Sequence, residues 1–273
     1  MDRVADAYDR DPQREWDRLE HDPYHRLEFL VTWRHLQELL PHAGRVLDAG
    51  GGPGRYALEL CRSGYEVVLL DISPALIAFA SGRFESEPDT VRARLVQATV
   101  GDIQDLSRFA SGSFDAVLCL GGPLTHIGEE AGRSRALSEL VRVAKSGAVL
   151  ALSVVGRLAA LRTVMARFSG ELLGHSFQSL AEQGDAPGSS GTTWHFFRAD
   201  ELRRLAEGHG LTTLRMAGCE GLSTGLSDAS NALAQNESKW QPWIDLVLKT
   251  SAEPAVVDMA EHILYIGRKP LRK

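Results

Sequence analysis

The sequence predicts an α/β protein built on a doubly wound, mostly parallel sheet, and three observations carry that reading. Short apolar runs alternate with longer segments whose apolar residues recur at helical spacing. The runs are continuously apolar rather than alternating, as strands covered by helices on both faces are. Three of them end on an acid: Val46-Leu47-Asp48, Val67-Val68-Leu69-Leu70-Asp71, and the run from Leu95 that reaches Gly101-Asp102. The first passes directly into Ala49-Gly50-Gly51-Gly52-Pro53-Gly54, a glycine-rich turn that opens a helix.

Taken in order, residues 1–44 mix charges of both signs with Tyr8, Trp16, Leu19 and Tyr24. Leu27, Leu30, Val31, Leu36, Leu39 and Leu40 then follow helical spacing, so two or three helices are predicted. Strand one is Arg45–Ala49, and helix Pro53–Ser63 follows, with Ala57, Leu58, Leu60 and Cys61 as its apolar face. Pro53 suits a first helical position, and Gly64 suits the end. Strand two is Glu66–Leu70. Ser73 caps the next helix and Pro74 starts it. Residues 82–94 form a helix end and loop, and strand three is Leu95–Thr99.

Beyond the connection 104–112, strand four begins at Phe114 and runs into a loop at Gly121-Gly122-Pro123. A helix over Glu129–Lys145 precedes strand five, Ala148–Val154. In residues 156–198, Leu158, Leu161, Val164, Met165 and Phe168 mark a helix, with Arg157, Arg162 and Arg167 on a basic face suited to solvent or to an acidic substrate. Gly184–Thr193 reads as a mobile loop. Asp200 caps a helix over Glu201–Gly208, strand six is Leu211–Ala217, and Ile263–Gly267 is the seventh. Between these last strands, Ala229–Ala234, Trp240–Leu248 and Val256–Ala260 read as helical.

The domain organisation expected is therefore a lid over 1–44, a core over 45–155, a cap insertion over 156–198, and a C-terminal part of the core over 199–273 carrying a helical insertion at 218–262. These additions should surround the carboxyl edge of the strands, where open α/β sheets bind ligands. A length of 273 residues with 44% apolar content suits one large domain or a domain with a cap. A net charge of −6 and a pI near 5.9 argue against nucleic acid as a partner. Cys61, Cys119 and Cys219 have neither disulfide-framework nor metal-ligand spacing, so a reducing cytoplasm is expected and no metal is. The N-terminal residues have no signal-peptide apolar region, and no run is long enough to span a membrane.

The glycine turn carries the chemistry. Gly50, Gly52 and Gly54 let backbone approach a ligand with no Cβ between them, and the helix start offers amides to a polar or anionic group. A nucleotide-type cofactor follows. The dinucleotide fingerprint would need a third glycine where Arg55 stands. The spacing is instead Asp-x-Gly-x-Gly-x-Gly from Asp48 to Gly54, and it resembles motif I of the class I S-adenosylmethionine (SAM) dependent methyltransferases. Asp71, about twenty residues beyond the first glycine, suits the two hydroxyls of a ribose.

The resemblance implies a Rossmann-like methyltransferase fold with helical cap insertions, and SAM as cofactor. It implies that Asp48, Gly50, Gly51, Gly52 and Gly54 surround the amino-acid end of SAM, and that Asp71 and Ile72 meet the ribose. Asp102 and Ile103 would meet the adenine, and a carbonyl near Leu120 the amino group. It also implies a leader lying over the pocket, which makes Tyr8, Trp16, Tyr24 and Arg26 lid candidates, the other reading being that the aromatics anchor a solvated helix. Trp194 and His195 suit either a substrate pocket or packing of the insert. His126 titrates near neutrality and suits a general base, or else a capping role. The expected activity is transfer of a methyl group to O, N or C of a small-molecule acceptor. Intramolecular cyclisation or cleavage, RNA methylation and a non-catalytic SAM-binding subunit are the alternatives.

Overall fold

The computed structural model describes residues 2–188 and 191–271, the Asp2 side chain excepted. Its first elements are helices α1 (Asp2–Tyr8), α2 (Pro12–Asp17) and α3 (Pro23–Leu39), with a 3-10 turn at Arg18–Glu20 between the last two. The sheet begins with β1 (Arg45–Ala49), α4 (Arg55–Arg62), β2 (Glu66–Asp71), α5 (Pro74–Glu85), the short α6 (Asp89–Arg92), β3 (Leu95–Val100) and β4 (Phe114–Cys119). It continues through α7 (Glu130–Val143) and β5 (Ala144–Val155).

Residues 156–198 hold α8 (Arg157–Arg167), α9 (His175–Glu182) and a small antiparallel pair, β6 (Asp185–Pro187) with β7 (Thr193–His195). Then come α10 (Ala199–Gly208), β8 (Thr212–Gly218), α11 (Ser227–Leu233), α12 (Glu237–Thr250), α13 (Pro254–Met259) and β9 (His262–Arg268). The order across the main sheet is β3-β2-β1-β4-β5-β9-β8, with β9 antiparallel to both neighbours. The expected seven-stranded, mostly parallel, doubly wound sheet is thus observed.

Why these runs form this sheet is visible in how side chains divide. Val46 and Leu47 are adjacent in β1, and each is fully buried on the opposite face. Leu47, Val68, Leu70 and Val117 pack toward α7 and α10 on one side, while Val46, Val67, Leu69 and Leu118 pack toward α3, α4 and α5 on the other. Each fully buried aliphatic side chain contributes roughly 1.5–3 kcal/mol. The chain reverses between β1 and β4, so the carboxyl ends of β1, β2 and β4 open a crevice there.

Three local expectations are corrected. The first core helix starts at Arg55, not Pro53, because Gly52 (φ 56°) and Gly54 (φ 83°) both hold left-handed backbone and prolong the turn. Arg198, not Asp200, precedes α10: the Glu201 carboxylate accepts from the Arg198 amide, while Asp200 pairs with Arg204 on the exposed face. The stretch 184–193 is bracketed by the β6–β7 pair rather than forming one loop, and Ser189 and Ser190 lie outside the described residues. The basic face expected on α8 is also partly spoken for: Arg157 donates to Glu201 at 2.8 Å and to the Gln183 carbonyl at 3.0 Å. No helix among the described residues is long and apolar enough to cross a membrane.

Candidate functional site

A cleft of about 940 Å³, the open space at its mouth included, opens at the carboxyl rim of β1, β2 and β4. Its floor is the turn Gly50–Gly52. Gly50 (φ 74°) is locked there by contact: a Cβ would come within 2.6 Å of Pro123 Cγ. A Cβ on Gly51 would come within 2.5 Å of Asp48 Cγ. Bare backbone therefore forms the floor at Gly50 and Gly51, whose amides donate to the Leu70 carbonyl at 2.7 and 3.2 Å.

Asp71 closes one wall. Its Oδ2 accepts from the Gly52 amide at 2.8 Å and its Oδ1 from the Ser73 amide at 2.9 Å, which ties the end of β2 to the glycine turn. Burial raises its carboxyl to about 6, against the pull of those amides. A carboxylate has about four acceptor sites, so each oxygen keeps capacity for a ligand donor. Asp102 stands at the next strand end, its Oδ1 accepting from the Gln104 amide at 2.9 Å. Ile72, Ile103, Leu120 and Gly121 complete this half of the lining.

The other half comes from the leader and the loop after β4. Val4, Tyr8, Glu15, Arg18 and Leu19 face Pro123, His126 and Ile127. Tyr8 Oη lies 2.9 Å from His126 Nε2, and Trp194 packs edge-on against the His126 ring at 4.6 Å between centroids. Burial lowers His126 to about 4 and raises the Tyr8 phenol. Asp9 fastens the leader by accepting from the Ser73 hydroxyl and the Ala75 amide at the start of α5.

The expected residues divide as follows. Gly50, Gly51, Gly52, Asp71, Ile72, Asp102, Ile103, Leu120, Tyr8 and His126 converge on the cleft. Asp48 and Gly54 do not line it. Asp48 lies beneath the turn, fully buried, with no hydrogen bond of good geometry to either oxygen among the described residues, and Gly54 packs against Ala80 and Leu69. Trp16 is a buried anchor under the Arg55 guanidinium, 3.8 Å from its ring centre. Tyr24 is buried, and its hydroxyl accepts from the Gly225 amide. Arg26 is exposed away from the cleft. His195 is buried between Asp185 (2.7 Å) and Glu201 (2.6 Å), tying β6–β7 to α10. Trp194 reaches the cleft only through His126.

Not anticipated were Glu15 and Arg18. Arg18 Nε donates to Glu15 at 3.0 Å, and Nη1 and Nη2 donate to Glu28 at 2.7 and 3.3 Å. Behind Glu28, His262 Nδ1 donates to Glu220 at 2.6 Å and lies 3.4 Å from Glu28. Glu28, Glu220 and His262 bring metal-ligand atoms within 4.8 Å of one another, but protons already join them to each other and to Arg18. The cluster is an ion-pair chain.

Asp48 makes a test of the floor. Burial, and then the Asp71 charge, raise its carboxyl to about 7. A folded value above the ordinary one near 3.9 means stability is fully present below the ordinary value and lost as pH rises through about 7. Asp48→Asn removes that loss. Its unfolding midpoint, measured by calorimetry without ligand, is expected to gain on the wild type between about pH 4 and pH 7. A constant difference would place the ionisation elsewhere.

Residues 46–147 match the family model described as a methyltransferase domain. A glycine/sarcosine N-methyltransferase from Parasynechococcus marenigrum is 33% identical over 161 residues, covering 55% of this chain and 51% of that protein. A ubiquinone biosynthesis O-methyltransferase from Xanthomonas axonopodis pv. citri is 34% identical over 151 residues, covering 54% and 57%. The chain thus spans about half the length of these curated relatives. Among solved structures, a SAM-dependent methyltransferase from Methanosarcina mazei superposes with a TM-score of 0.60 at 22% identity, over 87% of this chain and 98% of that one, which shows the shared fold.

Proposed function

We propose that this chain, whose residues 46–147 match a methyltransferase domain, is a class I SAM-dependent methyltransferase that methylates a small-molecule amine enclosed beneath its N-terminal leader. The residues present fit the cofactor: a backbone floor where no Cβ fits at Gly50 or Gly51, an acid with spare acceptor capacity on one wall, and a second acid at the next strand end. Gly50–Gly52 and the Leu120 carbonyl would hold its amino-acid end, Asp71 and Ile72 its ribose, and Asp102 and Ile103 its adenine. When bound, its sulfonium supplies the methyl group and the chemical driving force.

The chain's own contribution is then orientation and exclusion of water. Val4, Leu19, Pro123 and Ile127 give the far half of the cleft apolar walls. Good positioning supplies about 7–11 kcal/mol of barrier reduction. The observation that carries the choice of acceptor is the state of His126. Its Nε2 is already paired with the Tyr8 hydroxyl at 2.9 Å, and burial lowers its proton affinity, which supports an acceptor that needs no proton drawn by this ring. It is a neutral ring that holds Tyr8 in place. An amine, nucleophilic once its lone pair is free, needs no such base. One of the two relatives compared above is named for amine methylation, the other for oxygen.

The test is incubation with SAM and a panel of primary and secondary amines, glycine and sarcosine among them, beside phenols, with products read by mass spectrometry. Methylated amines are expected. Methylated phenols alone would overturn the amine reading, and consumption of SAM without any acceptor would overturn methyl transfer itself. On the accepted amine, His126→Gln and Tyr8→Phe are expected to lower kcat/KM by roughly two- to tenfold, the worth of one neutral hydrogen bond. The pH–rate profile should keep its shape. Loss of an ionisation near neutrality in the His126 variant would make that residue the base.

A further inference from the structure

The 3-10 turn that carries His126 (Pro123–His126) and the β6–β7 hairpin share one mount. Val155, the last residue of β5, donates its amide to the Thr125 hydroxyl oxygen at 3.0 Å and accepts from the Phe197 amide at 2.9 Å. From that mount the two pieces lean together. A Cβ on Gly128 would lie 2.8 Å from Thr193 Cβ, so the loop after the turn approaches β7 as closely as bare backbone allows. One residue on, Trp194 meets the His126 ring edge-on at 4.6 Å, while Tyr8 of the leader meets it edge-on at 5.5 Å. Tyr8 and His126 line the cleft, and Trp194 stands behind His126.

Trp194 is held so that it cannot retreat. Successive side chains of a strand point to opposite faces, and its neighbour His195 is fastened on the other face. One His195 ring nitrogen lies 2.7 Å from Asp185, its partner across the hairpin, and the other lies 2.6 Å from Glu201 of α10. Arg157 donates to the same Glu201 at 2.8 Å, which ties the hairpin to the start of α8 as well. The indole itself lies over Gly188, where a Cβ would overlap it. Its N–H is buried and makes no hydrogen bond of good geometry among the described residues, so the ring acts there through its bulk. A wall two rings deep, packed and stapled in this way, yields little to a larger ligand.

We propose that Trp194 is the positioning residue that limits acceptor size: it backs His126 against the cleft, and the acceptor is a compact amine without an aromatic or long-chain substituent. The inference rests on the amine reading above and deepens it. Removing the indole lets the His126 ring swing away from Tyr8 into the freed space, which lengthens the cleft on that side. Trp194→Phe frees less space than Trp194→Ala, and it also removes an N–H that has no partner, so it should fold.

The test has a kinetic arm and a structural arm. In the first, methylamine, propylamine and benzylamine are given with SAM to the wild type, Trp194→Phe and Trp194→Ala, and kcat and KM are measured for each. The wild type should favour the smaller amines. Trp194→Ala should move the benzylamine-to-methylamine ratio of kcat/KM toward benzylamine by roughly ten- to two-hundredfold, the range by which an apolar pocket separates ligands that differ by a methylene. The change should lie mainly in KM, with S-adenosylhomocysteine affinity unaltered, and Trp194→Phe should move the ratio the same way by less. A general loosening of the fold would lower all three amines together, and an unchanged ratio in both variants overturns the proposal. In the second arm, crystal structures of the two variants should show the His126 ring displaced and its 2.9 Å contact with Tyr8 lost or lengthened in Trp194→Ala, and less so in Trp194→Phe. His126 at its wild-type position in both variants overturns the proposal whatever the protein methylates. No methylated amine from any of the three proteins would instead overturn the amine reading, and the crystal structures then decide this one.

Discussion

Asp71→Ala is expected to lose S-adenosylhomocysteine binding by at least about a hundredfold, since two hydrogen bonds to a charged acceptor are worth roughly 1.5–3 kcal/mol each. Asp71 is the only side chain of the described rim whose two oxygens are each fixed by a backbone amide, Gly52 on one and Ser73 on the other. It is pre-set both in position and in the direction of its remaining lone pairs. The substitution removes the ligand's acceptor and also unties the glycine turn from β2. The unliganded fold should survive, because burial that raises this carboxyl to about 6 means its charge is held at a cost that the variant no longer bears. Asp71→Asn keeps the shape and one carbonyl acceptor, so it should fall between. Calorimetric titration of all three, with unfolding midpoints as the control for folding, decides it. Wild-type affinity in Asp71→Ala would remove the ribose assignment.

The second large effect is on stability. Glu28→Ala should lower it by roughly 3–5 kcal/mol, the cost of stripping one partner from a buried ion pair. On a chain of this size that moves the unfolding midpoint by on the order of 10 °C. Glu28 accepts two bonds from Arg18 and faces His262, so its loss leaves two cations beside one another. Asp200→Ala, which breaks an exposed pair with Arg204, should change stability by less than about 1 kcal/mol and serves as the control. The same cluster gives a pH signature. Burial works to lower His262, but Glu28 and Glu220 outweigh it and raise it to about 9. A raised value means that this stabilisation is complete below the ordinary value near 6.5 and is lost as pH rises through about 9. The wild-type midpoint is expected to fall across that window, and His262→Gln to lack that fall. A midpoint that is flat in the wild type would contradict the charged state assigned to His262.

Much of the core was legible because its signals are local. A continuous apolar run, an acid at its end and glycines where only left-handed backbone turns tightly enough all sit within a dozen residues of one another. The seven-stranded, doubly wound sheet followed from that, and Asp71 and Asp102 line one cleft as expected. Legibility fell off where a residue's role depends on what it docks against. Trp16, Tyr24 and His195 look like pocket aromatics in sequence, yet Arg55, Gly225 and the Asp185–Glu201 pair claim them as anchors. Arg18, Glu28, Glu220 and His262 come from separate stretches of the chain, and no spacing rule joins them. Asp48 shows the limit inside the motif itself: the same acid that marks the turn sits under it rather than in the cleft. His126 was found by its chemistry, but its enclosure by Tyr8 and Trp194 is something sequence does not report.

Crystallography of the protein grown with S-adenosylhomocysteine tests the central claim most directly. The expected density places the ribose on Asp71, the adenine beside Asp102 and Ile103, and the sulfur toward Pro123 and His126 under the leader helix. Density for the nucleoside outside the Gly50–Gly52 turn, or a rim that takes a nicotinamide or flavin nucleotide in its place, would contradict it.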